Sequence, residues 1–217
     1  MGKQTLPVEE LFRSIQGEGT RAGLPCCFVR MAGCNLDCDY CDTRYASESW
    51  GTERELDEIV KRVVEMGPGL VCLTGGEPLI HQGVSELCRR LLDRGLTVTV
   101  ETNGSRDISV LPRGAVCVMD VKCPGSGEEG SLRRENLELL DPDDEVKFVL
   151  TDRADFEWAR DMVEEYRLAE RYAVLFSPAY GHLEARRLAD WLVDWGAPVR
   201  LQLQLHRLLW PHKSRGV

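Results

Sequence analysis

The chain has 217 residues and carries 36 acidic against 27 basic side chains, a formal net charge of −9. That length supports one domain with a substantial core, the 43% apolar and 29% charged content is ordinary for a globular protein, and the acidic balance argues against a nucleic acid partner, which needs clustered Lys and Arg. No apolar run reaches the length of a membrane span, the start MGKQTLPVEELF has no apolar leader, and nine cysteines, an odd number with several inside apolar runs, predict reduced thiols in a cytoplasmic protein rather than a disulfide framework.

The first segment, Leu11 to Thr20, alternates and then becomes Gly-rich at Gln16-Gly17-Glu18-Gly19; taken alone it is a polar turn between two strands. Cys26 to Met31 is an apolar run of strand length that leads into a cysteine-rich loop. Arg30 lies within that run. A charge there needs a partner, either a salt bridge at the strand end or the carboxylate of a ligand. Beyond the loop, Thr52-Glu53-Arg54-Glu55 predicts a helix start in the manner of a capping box, with Leu56, Ile59, Val60, Val63 and Val64 on one apolar face and Gly67-Pro68-Gly69 as the stop.

Strand and helix then alternate. Strands are predicted at 70–73, 96–100, 115–122, 145–150, 172–176 and 198–205, and helices at about 81–94, 132–140, 153–166 and 183–195. Apolar strands joined by helices form a parallel sheet covered on its faces. About six such strands are too few for a closed eight-unit barrel, so the expected fold is α/β, a partial, open parallel β/α barrel of about six strands. It would form a single domain over 1–217, with 1–25 as an N-terminal extension and 206–217 as a C-terminal tail. Functional residues in such sheets lie where strands run into loops. Four polar clusters follow strands here, at 34–43, 74–78, 101–104 and 122–127, and would meet at one end.

The loop Gly33-Cys34-Asn35-Leu36-Asp37-Cys38-Asp39-Tyr40-Cys41-Asp42-Thr43 carries three cysteines as CxxxCxxC. Thiolates this close fit a loop wrapped around one inorganic centre. A structural zinc site wants four ligands, and Cys72, Cys88, Cys117, Cys123 or His81 could supply a fourth. Three thiolates without a fourth would leave one metal position open for chemistry.

This spacing, with an aromatic residue just before the last cysteine, resembles the signature of the radical S-adenosylmethionine (SAM) superfamily, and Gly75-Gly76-Glu77-Pro78 after a buried strand looks like its GGEP motif. In that superfamily three thiolates hold a four-iron, four-sulfur (4Fe-4S) cluster whose fourth iron is chelated by SAM, and the reduced cluster cleaves SAM to a 5′-deoxyadenosyl radical. Ser14 to Gly19, Phe28-Val29-Arg30, Cys41-Asp42-Thr43, Thr74 to Pro78, Glu101-Thr102-Asn103-Gly104, Asp120-Val121-Lys122 with Ser126, and Gln204-Leu205-His206 occur in this order. The set is similar to the 7-carboxy-7-deazaguanine synthase family. Tyr40 stands where that family commonly has Trp or Phe, and His206-Arg207 where His-Lys is common.

The resemblance implies a single radical SAM domain that converts 6-carboxy-5,6,7,8-tetrahydropterin to 7-carboxy-7-deazaguanine with loss of ammonia, on the path to queuosine and other deazapurines. It implies Cys34, Cys38 and Cys41 as cluster ligands, and Tyr40, Cys41, Asp42, Gly76, Glu77, Lys122 and Ser126 as SAM contacts. Ile15, Gln16, Gly17, Glu18, Arg30 and Thr74 would meet the substrate, with Arg30 on its carboxylate. Thr43 would offer Mg²⁺ a hydroxyl; its bland role is a helix N-cap. A flavodoxin or ferredoxin as electron donor, a homodimer and a cytoplasmic location are expected with it. Two alternatives stay open on the residues themselves: a glycyl-radical-enzyme activase, and a non-catalytic zinc or iron–sulfur module.

Overall fold

The structure is a computed structural model and describes residues 4–217. Strands β1 (Thr5–Ile15) and β2 (Pro25–Met31) run antiparallel, and β3 (Thr52–Glu55) pairs antiparallel with the far side of β1. From β2 onward the sheet is parallel: β4 (Leu70–Gly75), β5 (Thr97–Thr102), β6 (Ala115–Lys122), β7 (Glu145–Leu150), β8 (Ala173–Pro178) and β9 (Arg200–Leu201). The nine strands form one sheet in the order β3-β1-β2-β4-β5-β6-β7-β8-β9, with β3 and β9 as its edges. The sheet is therefore an open barrel, as the apolar runs predict, with seven parallel strands, the last of only two residues, and the antiparallel β1 and β3 beside β2.

The helices are α1 (Arg44–Ser47), α2 (Leu56–Met66), α3 (Val84–Leu92), α4 (Asn136–Leu139), α5 (Arg153–Glu165), α6 (Leu168–Arg171), α7 (Ala185–Trp195) and α8 (Leu205–Leu209). Apolar residues at helical spacing give α2 and α3 one buried face each, Leu56, Ile59, Val60 and Val63 on α2 and Val84, Leu87, Cys88 and Leu91 on α3. These pack on β1, β2, β4 and β5 as one half of the core. The other half joins β6, β7 and β8 to α4, α5, α6 and α7. Its centre is aromatic: Phe156 meets Phe176 edge-on at 5.8 Å and Trp195 at 5.9 Å. Burying each such side chain contributes about 1.5–3 kcal/mol.

Three elements depart from the expectations. Thr52–Glu55 is an edge strand, not a first helical turn, because its backbone pairs with Val8 through Thr5. Glu55 is extended and makes no side-chain cap, so α2 begins at Leu56. The last strand is confined to Arg200–Leu201, since Gln202 turns to bond the loop after β1 and Leu205 starts α8. The helix predicted over 132–140 contracts to Asn136–Leu139.

The turn after β1 is closed by Gln16 N donating to Leu24 O (2.8 Å) and Gly23 N donating to Gln16 O (2.8 Å). It reaches across to the opposite end of the sheet. Gln202 Nε2 donates to Gly17 O (3.2 Å), Gly19 N donates to Gln202 Oε1 (2.9 Å), and Leu205 N donates to Gly17 O (3.2 Å). Contact between residues following the second and the ninth strand in sheet order requires a curled sheet. Glu145 at the start of β7, 1% exposed, accepts from Thr20 N (2.9 Å) and Thr20 Oγ1 (2.5 Å) and pins the turn beneath the barrel.

The cysteine loop docks on the end of β4 by backbone contact. Gly76 N donates to Met31 O (3.1 Å) and Glu77 N to Gly33 O (2.9 Å), and a Cβ on Gly76 would lie 1.8 Å from Gly33 O. Gly76→Ala is expected to force the loop off β4 and cost about 1–3 kcal/mol or more in denaturant unfolding of the apo-protein. Gly69→Ala, where a Cβ meets nothing within 4 Å, should stay within about 0.5 kcal/mol of the parent.

Candidate active site

A cavity of about 440 Å³ opens at the carboxyl ends of the parallel strands, and Cys34, Cys38 and Cys41 all line it. The loop that carries them is held at several points. Asp39 N donates to Ser126 O (3.1 Å), Asp37 N to Glu128 Oε1 (2.8 Å), Arg44 Nη2 to Cys38 O (3.1 Å) and the Tyr40 hydroxyl to Val149 O (3.2 Å). Burial raises the Cys34 thiol and pushes Cys38 up to about 11. These thiols ionise when a metal takes the proton's place.

The remaining six cysteines are buried and line no part of the cavity. Among the described residues no group of three His, Cys, Asp or Glu side chains is gathered tightly enough to hold one metal ion. Three thiols ranged along one cavity wall fit a multi-iron cluster, in which each thiolate meets its own iron.

The walls come from strand ends. Gly75 ends β4 and Gly76 follows it, Glu101 to Asn103 lie at the end of β5, Asp120 and Lys122 at the end of β6, and Lys147 and Val149 on β7. Of the residues singled out from the sequence, Ile15, Gln16, Gly17, Glu18, Arg30, Cys34, Cys38, Tyr40, Cys41, Asp42, Thr43, Thr74, Gly76 and Lys122 all line this one cavity.

Two do not. Glu77 is fully buried behind the wall, where its carboxylate accepts from Leu79 N (2.9 Å), Thr102 Oγ1 (2.8 Å) and Asn103 N (2.6 Å). Ser126 is also fully buried; its hydroxyl accepts from Glu128 N (3.0 Å) and donates to Cys123 O (2.6 Å). The side chains expected to touch SAM at these positions are instead turned into the protein, because unpaired backbone donors there need acceptors. Asn103, placed by Glu77, brings Nδ2 to 3.9 Å from Cys34 Sγ and 3.3 Å from Asn35 Oδ1.

The deep end of the cavity is charged. Lys147 Nζ lies 2.8 Å from Glu18 Oε2 and 3.3 Å from Asp120 Oδ2, and Lys122 Nζ lies 3.1 Å from the same Asp120 oxygen. Burial alone would neutralise these groups, but the pairing outweighs it. The Glu18 and Asp120 carboxyls are held below their usual range and both lysines above theirs, so all four stay ionised at pH 7. Asp120 Oδ1 is buried and, among the described residues, has no hydrogen-bond partner. Gln204 Nε2 bridges Glu18 Oε1 (3.1 Å) and Asp42 Oδ2 (3.3 Å). Burial lowers His206, so its imidazole is neutral at pH 7.

Arg30 sits beside this group with its guanidinium 5.7 Å from the Phe12 ring, and Phe12 stacks on Phe28 at 5.0 Å. Arg30 Nε donates to Glu10 Oε2 (3.1 Å), and among the described residues its two terminal nitrogens have no hydrogen-bonded protein partner. Thr74 Oγ1 donates to Glu101 Oε2 (2.7 Å). Thr43 occupies the N-cap position of α1, yet its side chain makes no capping bond; the hydroxyl lies 3.9 Å from Cys41 Sγ.

An open parallel barrel with three cavity-lining thiols is the architecture of a radical SAM protein, and the radical SAM superfamily profile matches residues 28–169. The chain is 40% identical to the 7-carboxy-7-deazaguanine synthase of Koribacter versatilis, covering 98% of this chain and 100% of that one. It is 40% identical to the synthase of Chlorobaculum tepidum, covering 98% and 97%. The crystal structure of QueE from Escherichia coli superposes with a TM-score of 0.77 over 92% of this chain and 94% of that one, at 23% identity. Streptococcus suis SuiB bound to S-adenosylmethionine shares the fold over 79% of this chain and 48% of its own, with a TM-score of 0.59 and 14% identity. The chain thus belongs to the 7-carboxy-7-deazaguanine synthase family within the radical SAM superfamily, which implies a 4Fe-4S cluster and SAM as cofactors. The activase and the non-catalytic module give way to this assignment.

Sequence inspection passed over Glu10, Tyr45, Lys147 and Arg207 as site residues. Lys147 was visible as a charge inside an apolar strand, the same signal that drew attention to Arg30. Glu10 and Tyr45 carried none, since each looks like an ordinary surface residue until β1 and α1 are folded against β2.

Glu77→Gln keeps the shape of the side chain but turns an amide NH2 toward one of three backbone or hydroxyl donors. It is expected to cost about 1–3 kcal/mol of stability, as for a buried donor left unpaired. A denaturation midpoint equal to the parent's would show that the three bonds matter little.

Proposed function

We infer that the cavity binds 6-carboxy-5,6,7,8-tetrahydropterin beside SAM and that the protein converts it to 7-carboxy-7-deazaguanine and ammonia, which together hold the atoms of the substrate. The observation that carries this is the sharing of one cavity by the three thiols and the Arg30, Glu18 and Lys147 group, in a chain whose full-length relatives are 7-carboxy-7-deazaguanine synthases. Cys34, Cys38 and Cys41 hold the cluster, which supplies, when bound, the one-electron cleavage of SAM. Tyr40, Cys41, Asp42, Gly76 and Lys122 form the SAM side of the cavity, with Glu77 and Ser126 shaping it from behind.

On the other side, Arg30 offers its two terminal nitrogens to the substrate carboxylate, a planar bidentate match that Lys cannot copy. Ile15, Gln16, Gly17 and Glu18 meet the pterin ring from below and Thr74 from the wall. Lys147 holds Glu18 ionised and in place, so a ring N–H donor finds a fixed acceptor. The Phe12–Phe28 pair and the turn under the barrel keep bulk water from the reacting ring.

Mg²⁺ belongs to the same proposal. It prefers oxygen ligands and keeps most of its waters, so one protein hydroxyl with substrate oxygens suffices. Thr43 is favoured as that ligand because its hydroxyl caps nothing. An external flavodoxin or ferredoxin, a homodimer and a cytoplasmic location complete the proposal; among the described residues no helix is long and apolar enough to cross a membrane.

Anaerobic incubation of reconstituted protein with SAM, a reductant and the carboxylated tetrahydropterin should yield 7-carboxy-7-deazaguanine by mass. Cys41→Ala should abolish both SAM cleavage and product, while Cys72→Ala, a buried strand residue, should keep both and lose only stability. The reverse pattern would mean that the ligands are misassigned.

For Thr43, the Mg²⁺ activation midpoint under saturating SAM is the deciding measurement. Thr43→Ala should move it to higher Mg²⁺ with cluster content unchanged, and Thr43→Ser should stay near the parent. Equal midpoints in all three proteins would remove Thr43 from the metal site.

A further inference from the structure

The pairing of β1 with β2 is irregular between Val8 and Glu10: Val8 faces Met31 and Glu10 faces Arg30, which leaves Glu9 as the extra residue of a β-bulge. A bulge re-aims side chains, and here it lets two consecutive glutamates serve the same side of the site. Glu10 gathers three donors from three separate elements. Its Oε2 accepts from Arg30 Nε (3.1 Å) and from the Tyr45 hydroxyl (2.6 Å), and its Oε1 accepts from Gly216 N (3.2 Å). Glu9 accepts from the Ser49 hydroxyl (2.5 Å) and pairs with Arg215 Nη1 (3.3 Å), while the Arg215 guanidinium lies 4.3 Å from the Tyr45 ring centre. Lys213, Ser214 and Val217 line the cavity. The segment 213–217 is thus strapped across the cavity mouth, and its anchor is the carboxylate that holds Arg30.

We propose that Glu10 is a positioning residue for recognition of the substrate carboxylate: by fixing Arg30 Nε it aims the two terminal nitrogens into the cavity, and through Gly216 it links that clamp to closure of the 213–217 strap. This rests on Arg30 meeting the substrate carboxylate. Nε is the one guanidinium nitrogen that a bidentate carboxylate need not use, so a partner there orients the fork without competing for it. A carboxylate accepts all three donors. A carboxamide cannot, since its NH2 would face a donor.

The test uses holoenzyme with cluster and SAM, kept oxidised so that no turnover occurs. Two quantities are read: the ratio of dissociation constants for tetrahydropterin without and with the 6-carboxyl group, and the rate at which trypsin cuts after Lys213 and Arg215, followed by intact mass. In the parent, the carboxylated pterin should slow cleavage and its carboxyl-free analogue should not. Equal protection by the two ligands overturns the proposal without any variant.

Glu10→Gln should lower the dissociation-constant ratio about tenfold or more and speed cleavage of the free enzyme, and it should remove the difference in protection. If Glu10→Gln changes only one of the two quantities, or neither, the link does not exist. Arg215→Ala leaves Arg30 and Glu10 intact and should speed cleavage after Lys213, the one of the two sites it keeps, even where Glu10→Gln fails to fold; an unchanged rate at Lys213 would sink the strap. Arg30→Lys separates the layers. If it leaves the ratio at the parental value, the carboxylate clamp itself is wrong. If it collapses the ratio while Glu10→Gln does not, only the role of Glu10 is wrong.

Discussion

The site depends on a backbone contact that admits no side chain. The cysteine loop must cross the end of β4 closely enough for Gly76 and Glu77 to bond Met31 and Gly33, and the space at Gly76 is too small for a single methyl group. Gly75 has φ +134°, a conformation that glycine alone adopts without strain. Glu77 follows at once and satisfies donors of its own turn and of the loop after β5. One short sequence thereby fixes the cysteine loop, the wall of the cavity and Asn103 beside Cys34. The GGEP stretch does its work here as scaffold at least as much as surface.

Below this contact lies a line of buried charge, from Glu18 through Lys147 and Asp120 to Lys122. Taking four ions out of water is costly unless each finds a partner, and removing one member of such a set costs about 3–5 kcal/mol. The alternation of sign along the line keeps every member ionised. It also ties the turn after β1 to β6 and β7, which are distant in sheet order. The barrel interior can therefore stay polar and water-poor together, which a cavity must be if it is to hold a polar heterocycle away from solvent.

An open sheet leaves two edges and a gap. The chain fills the gap with its own outer segments: the turn after β1 enters from below, Gln202 to His206 meets it from the other edge, and 213–217 crosses the mouth. The parallel strands supply the position of the thiols, and these added segments supply enclosure on the substrate side. Cavity-lining residues accordingly extend to Val217, beyond the residues 28–169 that the radical SAM profile matches.

Continuous apolar runs separated by amphipathic helices made the parallel sheet legible, and β6 and β7 have the bounds their apolar runs predict. The cysteine spacing and the polar clusters after strands marked the cavity wall, because strand-to-loop transitions in a parallel sheet all face one end. Where a local signal competed with long-range pairing, the sequence misled: Thr52–Glu55 has the composition of a helix start, but β1 offers it an unpaired edge. Glu77 and Ser126 looked like ligand contacts and turned inward, since only the folded turn shows which backbone donors await an acceptor. Glu10 and Tyr45 joined the site with no local signal, whereas Lys147 carried one, a charge inside the apolar run of β7. The order of the apolar runs, the three closely spaced cysteines and the glycines that permit close approach are legible in the chain alone, because they are properties of local composition and spacing. Which charges pair across the barrel, and which polar side chains meet the cavity, emerge only on folding, because they depend on distances between residues far apart in the chain.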